Sequence, residues 1–223
     1  MTAVRATTRI EIAILTSAWS AAVPEHEELV RRAAKAAVAS ARVDGCKLPP
    51  RVEISLALAD DRLVRTLNRT YRKRDKATNV LSFPTAEPGG PTLRKRRAAT
   101  AAPDRRPLLL GDVVVAFETT RAEAAAQAKP LDHHLVHLIV HGTLHLLGYD
   151  HDRLAEARRM EGLEVLILAR LGIADPYGAN SHAARRRATS RPGVADRCRA
   201  PGSARTTPRI ETRAAPVRGR GGK

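Results

Sequence analysis

Three histidines near residue 145 constrain this chain more than any other feature of its sequence. His141 and His145 are four residues apart in a largely apolar stretch, and His151 follows after Gly148. On a helix, side chains at this spacing project from one face, about 6 Å apart along the axis, so both imidazoles can bind one metal ion. A helix that ends at Gly148 lets the chain turn and bring His151 to the same ion.

The number and type of these side chains favour zinc in a catalytic site. Zinc binds imidazole nitrogen, and catalytic zinc sites have three protein ligands with a fourth position for water, whereas structural sites have four protein ligands. Water bound in this way loses a proton near neutral pH and becomes a nucleophile. Three imidazoles also accept nickel or other ions, so the spacing alone leaves the metal open.

The residue after the first histidine separates this pattern from that of many metallopeptidases. Peptidases with the pattern H-E-x-x-H have a general-base glutamate at that position, where this chain has Gly142. A peptidase mechanism of that type therefore lacks its base. Among the nearby histidines, we expect His137 to pack beside the site rather than bind the metal, and His133 and His134 to face solvent.

Hydrophobic periodicity predicts an alternation of short strands and amphipathic helices. The predicted strands are 9–15, 51–58, 79–83 and 108–116, and the predicted helices are 24–42, 61–71, 118–128, 131–147 and 153–171. Proline and glycine residues separate several of these elements, as is typical of turns.

The excess positive charge is concentrated outside these periodic segments. The chain has 223 residues and a net charge of +16, of which +10 falls in residues 178–223 and leaves +6 for residues 1–177. A large positive charge is typical of proteins with a polyanionic partner such as nucleic acid. We expect the segment 178–223 to be a basic disordered tail, because its composition cannot bury a core. Residues 85–107 are predicted to form a long basic loop.

The sequence indicates neither export nor a membrane span. Its first residues lack an apolar segment followed by a cleavage site, and its apolar runs are too short to cross a bilayer. Cys46 and Cys198 have no partner at metal-binding spacing and imply no disulfide framework. We therefore expect a cytoplasmic protein with no membrane partner.

Three further sequence blocks accompany the histidine motif. Residues 141–151 read HGTLHLLGYDH, residues 67–84 read LNRTYRKRDKATNVLSFP, residues 110–113 read LGDV and residues 171–177 read LGIADPY. Together they resemble the YbeY family of metal-dependent endoribonucleases, which act in ribosomal RNA maturation. The resemblance covers residues 9–177; the loop 85–107 is longer than is usual in the family, and the segment beyond residue 177 is extra to it. It predicts an endoribonuclease domain at residues 1–177 followed by the tail 178–223.

The resemblance implies both a fold and a site. The fold is α/β (α+β), with a small mixed four-stranded sheet packed by about five helices and a zincin-like metal-binding helix against it. The site holds one zinc ion on His141, His145 and His151 plus a water, with an essential arginine at Arg72. A guanidinium binds phosphate oxygens bidentately and can stabilise the charge that develops as a phosphodiester is cleaved. Without the resemblance, Arg72 would be interpreted as a solvated residue at a helix end.

The implied function is a single-strand-specific endoribonuclease that acts in late rRNA processing, in maturation of the small-subunit rRNA 3′ end and in ribosome quality control. Its expected partners are single-stranded RNA, rRNA and ribosomal or small-subunit proteins. The general base is unassigned, with Asp150 as one candidate, and Asp112 either orients a ligand histidine or begins a turn. Two alternatives stay open: a metallohydrolase acting on peptides or small substrates, and a ribosome-assembly factor with a structural metal.

Overall fold

A four-stranded mixed sheet organises the chain. In the computed structural model, which describes residues 6–85 and 107–178, the strands are β1 (Thr7–Ile14), β2 (Arg51–Ala59), β3 (Val80–Pro84) and β4 (Leu108–Ala116). Their order is β1-β2-β4-β3, with β1, β2 and β4 parallel and β3 antiparallel at one edge. The predicted α/β fold with a small mixed four-stranded sheet is confirmed.

Six helices lie in the two described ranges, one more than periodicity predicts. They are α1 (Ser17–Ala22), α2 (His26–Val43), α3 (Asp61–Arg72), α4 (Phe117–Ala126), α5 (Leu131–Leu146) and α6 (Leu154–Arg170). The additional helix, α1, has six residues, which is too short for a helical period to appear in the sequence. Thr16 caps it by accepting a hydrogen bond from the backbone N–H of Ala18, and it buries Trp19 completely.

Strand residues alternate between two cores, one on each face of the sheet. On β2, Ile54, Leu56 and Leu58 belong to the larger core, which α1, α2, α5 and α6 complete. Ala57 and Ala59 belong to a smaller core closed by α3. Successive side chains of a strand point to opposite faces, so α3 and α5 lie on opposite sides of the sheet. Both helices reach the edge strand β3, where the candidate site lies.

Two glycines allow backbone segments to approach each other closely. A Cβ atom on Gly142 would lie 2.6 Å from Cγ1 of Val113 and 3.0 Å from Oγ of Ser82, so α5 packs directly on β4 and β3. The Ser82 hydroxyl donates to the Gly142 carbonyl oxygen at 3.2 Å. Gly111 has a φ of +144°, and a Cβ there would lie 2.2 Å from the carbonyl oxygen of Phe83. Neither position can accept a larger side chain without movement of its neighbours.

Two predicted segments fall largely outside the described residues. Residues 86–106 of the basic loop and residues 179–223 of the tail are not described, so the division into a domain and a tail stays a prediction. Within the described ranges, no helix combines the length and the apolar character that crossing a bilayer would require.

Candidate metal centre

Helix α5 presents His141 and His145 on one face, as their spacing predicts. Their Nε2 atoms lie 3.1 Å apart. After the helix ends, Gly148 adopts a φ of +91°, a left-handed conformation that glycine tolerates readily. The turn brings the His151 ring to 5.1 Å from the His145 ring and 5.8 Å from the His141 ring. The structure therefore brings the three predicted ligands together.

The geometry of these side chains fits one zinc ion. One nitrogen from each of the three histidines lies within 4.8 Å of the other two. Zinc–nitrogen bonds of about 2.0–2.1 Å place two nitrogens of a tetrahedral site about 3.4 Å apart. The separation of 3.1 Å between the Nε2 atoms of His141 and His145 is close to that value. Three imidazoles complete three positions and leave the fourth open.

The protonation state of His145 suits a metal ligand. Burial, and then the potential positive charges of the neighbouring His141 and His151 rings, lower the pKa of His145 to about 4. At neutral pH the His145 ring is therefore uncharged. An imidazole must be neutral to bind a metal, so no proton has to be displaced from His145 at that pH.

Arg72 stands in the same cleft as two of the histidines. The cleft has a volume of ≈ 660 Å³ and is lined by Arg72, His145 and His151, and by Ser82 and Pro84 of the edge strand. The guanidinium forms no hydrogen bond or ion pair with any described residue. Its donors are therefore not committed to another part of the described fold.

The position of Arg72 depends on how α3 begins and ends. The Asp60 side chain caps the first turn by accepting from the backbone N–H of Leu63 at 2.8 Å. The helix ends at Arg72, because the next residue, Lys73, adopts a left-handed conformation with a φ of 59°. Partial burial, and then the charge of Arg74, lower the pKa of Arg72, but a guanidinium remains protonated at neutral pH.

The fold and the site together correspond to a known protein family. The family model for endoribonuclease YbeY matches residues 14–172. The chain belongs to the YbeY endoribonuclease family. The endoribonuclease YbeY of Rhodopseudomonas palustris (strain BisB18) is 47% identical over 167 residues, which are 75% of this chain and 90% of the relative.

A second relative gives similar values over a shorter alignment. The endoribonuclease YbeY of Rhizobium meliloti (strain 1021) is 52% identical over 140 residues, which are 62% of this chain and 76% of the relative. Among solved structures, the solution structure of TM1509 from Thermotoga maritima aligns with a TM-score of 0.44 and 18% identity, over 85% of this chain and 100% of that chain.

This YbeY-family chain also places a carboxylate at the site that sequence reasoning missed. Glu164 on α6 is completely buried, and its Oε1 accepts a hydrogen bond from Nδ1 of His141 at 2.8 Å. The sequence does contain a sign of this role, because Glu164 is an acidic residue on the apolar face of a helix. Met160 and Leu168, four residues away on either side, are buried core residues. Asp112, a candidate either for such a role or for the start of a turn, lies within β4 opposite Phe83 rather than at a turn.

The prediction that His133 and His134 face solvent is wrong for His134. Only 5% of this side chain is exposed, and its Nε2 lies 2.9 Å from Oε2 of Glu123 on α4. Burial lowers the pKa of His134, while the hydrogen bond and the charge of Glu123 oppose that effect. Helix α4 covers the first turn of α5, which periodicity within α5 cannot reveal. His137 packs beside the site as expected, with its ring centre 6.4 Å from that of His141.

A second arginine of the cleft also escaped the sequence analysis. Arg159 of α6 lines the cleft and donates from Nε to Oδ2 of Asp44 at 3.0 Å. Its guanidinium lies 5.5 Å from the ring centre of Tyr149, whose hydroxyl donates to the same Asp44 oxygen at 2.6 Å. These contacts hold one positively charged wall of the cleft in place.

Gly142 excludes a peptidase-type base at its position. The close contact between α5 and β4 leaves no room there for a glutamate side chain. Two other carboxylates, Asp150 and Glu156, line the cleft. Asp150 also accepts a hydrogen bond from the backbone N–H of His151 at 2.7 Å, which stabilises the turn that carries this histidine.

Proposed function

We propose that this chain is a metal-dependent, single-strand-specific endoribonuclease that acts in late rRNA processing. One observation carries the proposal: in a member of this family, Arg72 lines the same cleft as His145 and His151, two of the three clustered histidines. The reaction would mature the 3′ end of small-subunit rRNA and serve ribosome quality control. Its partners would be single-stranded rRNA and small-subunit proteins, and its location the cytoplasm. The catalytic domain would be residues 1–177, with residues 178–223 as a basic tail.

The three histidines would hold one zinc ion. His141, His145 and His151 supply only uncharged ligands, so they leave the ion's positive charge uncompensated, which suits an anionic phosphodiester. When bound, zinc supplies a Lewis acid that polarises a phosphoryl oxygen and lowers the pKa of water. The position left open by three protein ligands is the one that a substrate oxygen or water needs.

Arg72 would bind the phosphate group that is cleaved. Its planar guanidinium offers two parallel N–H donors to two phosphate oxygens, which orients the phosphate as well as attracting it. The end of α3 places Arg72 at the cleft, where its guanidinium would be available as negative charge develops on the phosphate. Arg159, on another wall of the same cleft, would attract the neighbouring backbone.

The attacking group would be either water or the RNA 2′-hydroxyl. Asp150 and Glu156 are the carboxylates of the cleft that could accept its proton. The Asp150→Asn and Glu156→Gln variants identify which of them does so. The variant that removes the base loses the acidic limb of the pH–rate profile, because that limb reports the ionisation of the base.

Cleavage of a single-stranded rRNA fragment by the purified full chain tests the proposal. We expect His145→Ala to lose both bound zinc and cleavage. Arg72→Ala should keep its zinc and lose about 10²- to 10³-fold in cleavage rate, as when a donor to a transition-state oxyanion is removed. Arg72→Lys keeps the charge without the planar pair of donors, so its cleavage rate should lie between the rates of the parent and of Arg72→Ala.

The neighbouring Arg74 provides a matched control. Arg74 is exposed, and replacing it with alanine removes the same charge as Arg72→Ala does. However, Arg74 is not part of the cleft lining. Arg74→Ala should cleave almost as fast as the parent. If Arg72→Ala and His145→Ala also cleave at the parent rate, the activity belongs to a contaminating nuclease and the proposed function is wrong.

A further inference from the structure

Glu164 is a charged side chain with no solvent exposure, located where α6 packs on α5. An ionised carboxylate in such a place carries a large desolvation cost unless donors satisfy its oxygens. Among the described residues its ion-pair partners are His137 and His141, and neither Lys nor Arg pairs with it. The chain therefore maintains a buried anion directly behind the histidine ligands.

The hydrogen bond from His141 to Glu164 determines which nitrogen of the His141 ring carries the proton. An ionised carboxylate can only accept, so Nδ1 of His141 donates to Oε1 of Glu164 across 2.8 Å. In a neutral imidazole the other nitrogen then holds a lone pair. That nitrogen, Nε2, is the atom that lies 3.1 Å from Nε2 of His145, on the side where an ion would bind.

The second oxygen of Glu164 is also held, so the carboxylate cannot turn away from His141. Oε2 accepts from the hydroxyl of Tyr177 and lies 3.5 Å from Nε2 of His137. The segment that carries Tyr177 follows α6 and is anchored by Lys129, whose Nζ donates to the carbonyl oxygen of Pro176 at 2.7 Å. The carboxylate is thus fixed from both sides, by His141 and His137 of α5 and by Tyr177 of the segment after α6.

The ionisation of Glu164 agrees with this geometry. Burial alone would raise the pKa of Glu164, but the contacts from His137, His141 and Tyr177 outweigh it and hold the pKa at about 2. Burial and the adjacent carboxylate raise the pKa of Tyr177, so its hydroxyl keeps the proton that it donates.

We propose that Glu164 is a positioning residue for the metal centre, which holds the Nδ1–H tautomer and the ring orientation of His141 while Tyr177 fixes the carboxylate. The inference rests on the metal centre of the proposed function and adds a residue beyond its ligands. Carboxylates that accept from a ligand histidine raise its basicity and preset its direction, and losing one costs about 10- to 100-fold in metal affinity.

Zinc binding to the full chain is the primary test. The zinc dissociation constant is measured by competition with a chelator for the parent, Glu164→Gln and Tyr177→Phe. Glu164→Gln keeps the size of the side chain and removes its charge, and should weaken zinc binding by about 10- to 100-fold. Tyr177→Phe keeps the carboxylate but frees its second oxygen, and should weaken binding by a smaller factor.

A second glutamate–histidine pair, whose histidine also lies on α5, supplies a matched control. Glu123 contacts His134 of α5 at 2.9 Å, but His134 is not one of the three ligands. Glu123→Gln therefore makes the same chemical change at a comparable contact. It should leave the zinc dissociation constant unchanged even if it lowers the unfolding midpoint.

Nitrogen NMR of the zinc-free protein gives a readout that a purely structural role would not move. The parent should show His141 protonated at Nδ1, whereas Glu164→Gln should show a mixture of the two tautomers. Unchanged zinc affinity in Glu164→Gln, or an equal loss in Glu123→Gln, overturns the inference.

The outcomes also separate this inference from the proposed function. A parent that binds zinc and cleaves RNA, with a Glu164→Gln variant that binds zinc equally well, overturns the inference alone. A parent that binds no zinc overturns the proposed metal centre together with the inference. If Glu164→Gln does not fold, Tyr177→Phe decides, because zinc affinity equal to that of the parent would then count against the positioning role.

Discussion

Replacing Gly142 by alanine adds one methyl group at the place where α5 packs most closely on the sheet. The new Cβ would lie 2.6 Å from Cγ1 and 3.3 Å from Cγ2 of Val113, and 3.0 Å from Oγ of Ser82. Val113 is completely buried and β-branched, so rotation about its first side-chain torsion exchanges one methyl group for the other without clearing the contact. The helix or the strand must therefore move.

Two opposing effects determine the size of the change. Alanine in a helix interior is favoured over glycine by about 0.5–1 kcal/mol. An extra methyl group in a well-packed core costs about 1–3 kcal/mol. We therefore expect Gly142→Ala to lower the free energy of unfolding by about 1 kcal/mol or slightly more.

The assay is urea denaturation of the metal-free protein, followed by the fluorescence of Trp19. This is the only tryptophan of the chain, and it is completely buried against Phe117. A lower midpoint with an unchanged slope reports a change in stability rather than in the compactness of either state.

Gly162 of α6 is the matched control. It lies on an exposed part of a helix, and a Cβ there would meet no atom within 4 Å. Gly162→Ala should therefore raise the free energy of unfolding by about 0.5–1 kcal/mol, with the opposite sign to Gly142→Ala. The reasoning is refuted if Gly142→Ala is as stable as the parent. In a double-mutant cycle, Gly142→Ala with Val113→Ala should lose less than the sum of the single changes.

Three further outcomes follow from the described contacts. Gly111→Ala places a Cβ against the carbonyl oxygen of Phe83 at a positive φ, and should cost about 3 kcal/mol or more in the same denaturation assay; a loss below about 1 kcal/mol would contradict this reasoning. Because burial lowers the pKa of His134 below 6.5, the unfolded chain binds a proton at higher pH than the folded chain. His134 therefore imposes no loss of stability above about pH 6.5 and an increasing loss as the pH falls below that value. His134→Gln should flatten this part of the plot of unfolding free energy against pH. An unchanged plot would show that His134 does not contribute. Arg159→Ala removes an exposed ion pair with Asp44 and should lower the free energy of unfolding by less than about 1 kcal/mol, so a larger loss would show that packing on Tyr149 dominates.

The residues that sequence reasoning placed correctly are those whose arrangement depends on nearby chain positions. His141 and His145 share a face because of the helical period, and Gly148 reverses the chain within three residues of His151. The strands and the longer helices were recognised from periodicity in the same way. Helix α1 was missed because six residues are too few to show a period.

Arg72 does not belong to this group of residues. It is far from the histidines in the sequence, and that distance does not indicate whether they meet in the folded chain. The resemblance to the family singled it out, and only the fold brings it into the cleft with His145 and His151. Helices α3 and α5 lie on opposite faces of the sheet, and they reach the same cleft around the short edge strand β3.

The sequence by itself predicted that His141, His145 and His151 lie together, predicted the order of strands and longer helices, and showed a glycine rather than a peptidase-type glutamate after His141. Only the tertiary structure decided that Glu164 supports His141, that His134 is buried and that Gly142 must be glycine. The physical reason is that period and capping are local properties of the chain. The contacts of Glu164 and Gly142 arise instead from helices and strands that are distant in sequence and meet only in the packed core.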